Sequence, residues 1–153
     1  MKKGVCEKND TSKNESKIKI IINFVKILKR NHLATKKAVE ENPLLKTIIT
    51  SLTDRKAQEL VTIDLRQNED AIVDYLIVCH GDSTTQVDAM AGNLEKDVKD
   101  MLRTKPYRTE GKRNSLWVIV DYVDIIVHIF YKEARDFYKL EDLWSDGHKQ
   151  VFS

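Results

Sequence analysis

Tyr75-Leu76-Ile77-Val78-Cys79-His80-Gly81-Asp82-Ser83-Thr84-Thr85-Gln86-Val87 joins a short apolar run to a helix start through one glycine turn. Tyr75 to Cys79 is too short for a helix and carries aromatic and β-branched residues, so it reads as a strand. Ser83 and Gln86 stand at capping-box spacing, in which a hydroxyl and a side-chain amide satisfy helix-end N–H groups reciprocally. Val87, Met90, Ala91, Leu94, Val98, Met101 and Leu102 then keep the helical period, which predicts about five turns. Pro106 is expected to close that helix, because the residue before proline resists the α conformation.

Outward from this unit the pattern repeats. Upstream, Asn42-Pro43 looks like an N-cap with proline at the first helical position, and Leu44, Leu45, Ile48, Ile49 and Leu52 mark one apolar face, predicting a helix from 43 to the mid-50s. Leu60 to Leu65 reads as a strand, set off from Tyr75 by the polar stretch Arg66 to Asp70. Downstream, Trp117–Asp121 and Ile125–Tyr131 are apolar at nearly every position, as in strands buried on both faces. A short strand is expected near Tyr107–Glu110, and one or two short helices over Glu133–Trp144. The order α-β-β-α-β-β-β-α predicts a single α/β domain, a mixed central β-sheet flanked by helices. Its bounds are read as 41–146, with 1–40 a basic N-terminal extension and 147–153 a short tail.

At 153 residues, 41% hydrophobic and 33% charged, the chain suits one domain with a modest extra segment. Neighbouring glycines among its five are too far apart for a dinucleotide fingerprint or a phosphate-cradling P-loop. The two cysteines, Cys6 and Cys79, form no C-x-x-C, which excludes a zinc ribbon or disulfide scaffold and points to a reducing, cytoplasmic setting. No serine sits in a nucleophile elbow.

Charge is unevenly distributed. Of 26 Lys/Arg and 24 Asp/Glu, nine and three lie in residues 1–34, which leaves 17 against 21 in the body. An acidic body suits a basic protein partner better than bare RNA, whose binders show a basic footprint. Ile18, Ile21, Ile22, Val25 and Leu28 recur at helical spacing among lysines in the extension. That pattern is compatible with attachment to RNA or an anionic membrane surface, but a leader outside the domain is the favoured reading. Its apolar run is too short to span a bilayer.

The Gly81-Asp82-Ser83 turn could offer helix N–H groups to a phosphate. An enzyme of the nucleotidyltransferase fold follows such a turn with two carboxylates on one strand face, spaced D-x-D. No expected strand carries that pair, and Asp82 would repel a phosphate, so plain capping is favoured. Asp121 and Asp124 are the nearest carboxylate pair, and they are expected to organise a hairpin by side-chain to backbone bonds. His128, between Ile126 and Phe130 on one strand face, is expected to be a hydrogen-bonded core histidine. His80 borders the turn and could titrate, and Cys79 should be an inert buried thiol. No metal or cofactor is expected.

Taken in order, these segments resemble the ribosomal silencing factor, or Iojap, family. The resemblance rests on Lys56–Leu65, Asp74–Val78, Gly81–Val87, Pro106 with Glu110-Gly111, Trp117–Tyr122, Asp124–Phe130, Arg135, Phe137-Tyr138, Leu140-Glu141 and Leu143-Trp144. It implies a small α/β domain related to nucleotidyltransferases but lacking their catalytic carboxylates, and no catalysis. It also implies binding to the large ribosomal subunit through its ribosomal protein fourteen, which blocks small-subunit joining and represses translation when nutrients are scarce. Trp117, Asp121, Tyr122 and Asp124 are the positions carried over for partner binding, and a homodimer is left open. Two positions depart from the family pattern: Val123 replaces a usual glycine, and Asp82 a small hydroxyl residue. A β-branched residue resists positive φ, so a different hairpin turn is expected at Val123.

Overall fold

The structure is a computed structural model that describes residues 42–144 and 148–152. The chain divides into two units, Met1–Leu33 and Ala34–Ser153, and every described residue belongs to the second. The basic extension 1–40 and its expected helix lie outside the described residues.

The first helix, α1 (Pro43–Asp54), begins as its sequence demands. Asn42 Oδ1 accepts the N–H groups of Leu44 and Leu45, both at 3.1 Å, and Pro43 occupies the first helical position, where no N–H is needed. Two strands follow, β1 (Gln58–Asp64) and β2 (Tyr75–Gly81). The long helix α2 (Thr84–Leu102) is capped by Ser83, whose hydroxyl accepts the Gln86 N–H at 3.1 Å. The reciprocal bond is displaced by one residue, since Gln86 Oε1 accepts from the Asp82 N–H at 2.9 Å rather than from Ser83. Pro106 does not end this helix. Arg103 does, turning to a φ of 56° and donating its N–H to Lys99 O, a left-handed cap that arginine supplies in place of glycine.

The remaining elements are β3 (Arg108–Glu110), β4 (Trp117–Asp121), β5 (Ile125–Tyr131), α3 (Lys132–Tyr138), a 3-10 turn (Leu140–Trp144) and β6 (His148–Phe152). The last is a correction, because the sequence pattern gives only a tail over 147–153. Val151 and Phe152 are the apolar residues available there, and the strand exists because β1 offers it an open edge.

One six-stranded sheet results, in the order β3-β4-β5-β2-β1-β6. All neighbours are antiparallel except β2 and β5, which run parallel from Tyr75↔Ile125 to Gly81↔Tyr131. The two central strands are the most deeply buried, as their near-continuous apolar runs require. Expected burial on both faces fails for β4. One strand from the edge, it leaves Trp117 and Ile119 half-buried.

Alternation sorts the sheet into two faces. Tyr75, Ile77, Cys79, Ile125, Val127, Ile129, Val118 and Val120 pack under α1 and α2, against Leu45, Ile48, Leu52, Val87, Met90, Leu94 and Val98. Helix α3 contacts β5 and β2 and brings its aromatic residues against the opposite face, where Trp117, His128 and Phe130 stand. Cys79 is fully buried, which pushes its thiol pKa up to about 12, so it is the inert group its sequence context suggests.

A candidate partner-binding face on β4

Strand β4 carries Trp117 at its start, and the turn after its end carries Tyr122 and Asp124. Trp117 is half-buried, and its indole Nε1–H donates to His128 Nδ1 at 3.0 Å. That bond fixes the proton of a neutral imidazole on Nε2. Burial pushes the His128 pKa down to about 3, so the ring stays neutral over the physiological range. The indole stacks on Phe130 at 4.7 Å between centroids and tilts against Tyr138 at 5.0 Å. Beside this packed centre the surface opens to solvent: Phe137 is 66% exposed and meets Tyr138 edge-on at 5.1 Å. The result is a rigid aromatic patch with a half-exposed tryptophan in it.

At the other end of β4 the chain reverses in a three-residue turn. Tyr122 N–H donates to Ile125 O at 2.9 Å, and Asp124 N–H to Tyr122 O at 3.0 Å. A bond between residues two apart around a central φ of 75° at Val123 is a classic γ-turn, the strained member of its class. Valine therefore takes the positive φ itself, rather than imposing a different turn. Asp121 Oδ1 holds the turn by accepting the Val123 N–H at 2.7 Å, the hairpin-organising bond its position suggests.

The four residues carried over for partner binding thus do not form one surface. Asp121 and Tyr122 are buried, at 2% and 6% exposure. Asp121 accepts the Tyr107 N–H at its own carbonyl, and its Oδ2 is enclosed with no hydrogen-bond partner among the described residues. Tyr122 turns the other way, into the core under α2, where burial raises its phenol pKa. Only Asp124, which is exposed, and half-buried Trp117 reach solvent. Seven residues apart in sequence, they lie at opposite ends of β4, roughly 13 Å apart by the strand rise from 117 to 121.

The Gly81 turn is tied up by its own side chains. Its Asp82 N–H is taken by Gln86, the Asp82 carboxylate accepts from Gln58 Nε2, and a Cβ at Gly81 would meet Met90 Cε at 2.8 Å. Among the described residues no cluster of three His, Cys, Asp or Glu side chains could hold a metal ion. Asp64 is paired with Arg66 at 2.6 Å.

One important residue escaped functional notice in the sequence. Arg135 on α3 is only 7% exposed, and its guanidinium reaches three elements. It pairs with Glu141 of the 3-10 turn, lies 2.9 Å from His80 Nδ1 on β2, and donates at 2.9 Å to Glu59 O on β1. Glu59, at a φ of 44°, is half of a β-bulge where β1 slips against β2 between Gln58 and Val61. Arg135 therefore locks α3, and with it the Phe137 side of the patch, onto the sheet. His80 sits in this lock rather than at a titrating turn: burial first, then Arg135, lowers its pKa.

The family model described as "Ribosomal silencing factor during starvation" matches residues 36–152. The chain belongs to this family. Ribosomal silencing factor RsfS of Halalkalibacterium halodurans is 36% identical over 105 residues, covering 68% of this chain and 87% of that protein. The RsfS of Bacillus subtilis is 33% identical over 109 residues, 71% of this chain and 91% of that protein. In three dimensions the chain is similar to a crystal structure of a Chromobacterium violaceum protein, with a TM-score of 0.64 and 30% identity over 76% of this chain and 93% of that one. This member of the family is thus a mixed six-stranded sheet with helices on both faces. Among its described residues no helix is long and apolar enough to cross a membrane.

Proposed function

We propose that this silencing factor acts in the cytoplasm by binding the large ribosomal subunit through ribosomal protein fourteen and occupying the space the small subunit needs. The reading is of a stoichiometric binder, not an enzyme. The observation that carries it is the patch of Trp117, Phe137 and Tyr138, a packed aromatic anchor with an exposed apolar rim at Phe137, on a chain of this family. Such clusters carry most of the energy in protein interfaces. Trp117 supplies contact area through its face, since its N–H is already bonded to His128. Asp124 offers a charge to a basic partner, while Asp121 and Tyr122 shape the turn that presents it.

The test mixes ribosomal subunits at fixed magnesium and follows intact ribosomes by light scattering. Excess wild-type protein should suppress joining in proportion to its amount. Phe137→Glu changes an exposed side chain and should leave folding intact while weakening the complex by about 2 kcal/mol, near thirtyfold. Asp124→Lys should weaken it through charge reversal. Unimpaired joining in the presence of excess folded protein refutes the mechanism, and inhibition indifferent to both substitutions refutes the surface.

A further inference from the structure

The acidic body hides a basic corner. Residues 96–113 hold seven Lys/Arg against Asp97, Asp100 and Glu110, whereas the other described residues hold eight against fifteen. Pairing sharpens the contrast. Asp97 is bound to Arg55 at 2.8 Å, Glu110 to Arg108 at 3.1 Å, and the adjacent Glu95 to Lys112 at 2.9 Å. Lys96, Lys99, Arg103, Lys105 and Arg113 have no ion pair among the described residues, and Asp100 is the one acid nearby in the same condition. Offsetting the partial negative charge of the α2 C-terminus would use one such lysine in the last turn, and Lys99 supplies it.

Lys96, Lys99 and Lys105 border an open groove of about 580 Å³. Gly92, Glu95, Lys96, Lys99 and Asp100 of α2 form one wall, and Lys105, Pro106 and Thr109 the other, with Glu95 already neutralised by Lys112. The groove is open at Gly92, where a Cβ would meet nothing within 4 Å. Beside it, in Arg103-Thr104-Lys105-Pro106-Tyr107-Arg108, Tyr107 is 74% exposed. Its backbone N–H donates to Asp121 O at 2.7 Å, which anchors the chain at the residue that carries this exposed ring. Unpaired lysines for phosphates and an outward aromatic ring between cations are the two components of single-stranded nucleic-acid grooves.

We propose that this corner binds an unpaired stretch of RNA, with Lys96, Lys99 and Lys105 on backbone phosphates and Tyr107 stacked on a base. The site is distinct from the Trp117 patch, and the choice of RNA over DNA rests on the ribosome-binding reading.

The test measures fluorescence anisotropy of a labelled RNA hairpin with a loop of about eight unpaired nucleotides, a usual site size for such grooves, against the full chain over a salt series. Replacing Lys96, Lys99 and Lys105 together by Gln should lower the slope of log affinity against log salt by about 2. Tyr107→Ala should weaken binding about fivefold or more at every salt concentration without changing that slope, and Tyr107→Trp should restore it. The basic extension contributes equally to every variant, so the differences isolate this corner. Wild-type affinity and slope in both the triple variant and Tyr107→Ala overturn the proposal. So does equal binding to a fully paired duplex with no effect of Tyr107→Ala, which would leave charge alone. The subunit-joining assay separates the two readings. If wild-type protein binds the hairpin as expected but does not impede joining, the ribosomal reading fails and this one stands. If joining is impeded and both variants bind the hairpin like wild type, only this one fails.

Discussion

Val123→Gly should make the protein more stable, against the usual direction of a substitution that removes a side chain. Val123 sits at a φ of 75° in the centre of the γ-turn, with its side chain 51% exposed. A non-glycine residue in the left-handed region costs about 1–2 kcal/mol because Cβ crowds the backbone, and a β-branched one has the least freedom to relieve it. Removing a half-exposed valine loses under about 1 kcal/mol of burial. Glycine also makes the unfolded chain more flexible, which costs about 0.5–1 kcal/mol. The hydrogen bonds of the turn use backbone atoms and the Asp121 carboxylate, and they survive the change. For a β-branched residue the strain lies at the upper end of its range, about 2 kcal/mol, against about 1.5 kcal/mol for the two opposing effects together, and we expect a gain of about 0.5 kcal/mol, near 2 °C in melting temperature for a domain of this size. Urea unfolding monitored by tryptophan fluorescence reads the gain as a higher midpoint at unchanged m. Val123→Ala is the control, because alanine keeps the Cβ that causes the strain and gains nothing from glycine's freedom. A glycine variant no more stable than the alanine variant would falsify the argument from strain.

Gly92→Ala, in the interior of α2 with open space at its Cβ, should raise stability by about 0.5–1 kcal/mol in urea titration. Arg135→Ala strands Glu141 and the bulge carbonyl of Glu59, and it should cost about 3 kcal/mol or more, with loss of ordered α3 signals by NMR. His128 binds its proton in the folded state only near pH 3, below the ordinary 6.5. Its contribution is therefore complete above pH 6.5 and lost as pH falls toward 3, by up to about 1.4 kcal/mol per pH unit. Thermal melts of His128→Gln across that range should show a visibly shallower acid slope than the wild type.

Local signals were the ones that could be read. The Ser83–Gln86 cap and the Asn42-Pro43 start are settled within four residues of chain, and the structure reproduces both helices to within a turn. The β6 strand could not be read in this way. Its reason for pairing lies in the edge of β1, Leu60 opposite Phe152, more than ninety residues away. Arg135 was equally opaque as a structural lock, because a charged residue on a short helix looks solvated, and its partners come from the β1 bulge, β2 and the 3-10 turn. For the candidate site, alternation correctly puts Trp117 and Asp121 on one face of β4. It does not say how far α3 covers that face, which leaves Trp117 half open while Asp121 is enclosed by the turn. Tyr122, one residue later, falls to the helix-covered side for the same geometric reason.

The parallel pairing of β2 with β5 also sets how this chain can find its structure. Every contact in that seam joins residues fifty positions apart, from Tyr75↔Ile125 to Gly81↔Tyr131, so the centre of the sheet is its least local part. The β4–β5 hairpin closes over three residues and α2 uses only local bonds, so neither has to close such a loop. The seam must then be sealed between two preformed halves, against the loop-closure entropy of the intervening chain. Until that moment the most apolar strands of the protein, β2 and β5, each leave one edge unpaired. Refolding should accordingly be slow for a domain of this size, in the range of milliseconds to seconds typical of high contact order. Crowded refolding mixtures should lose material through these two strands first.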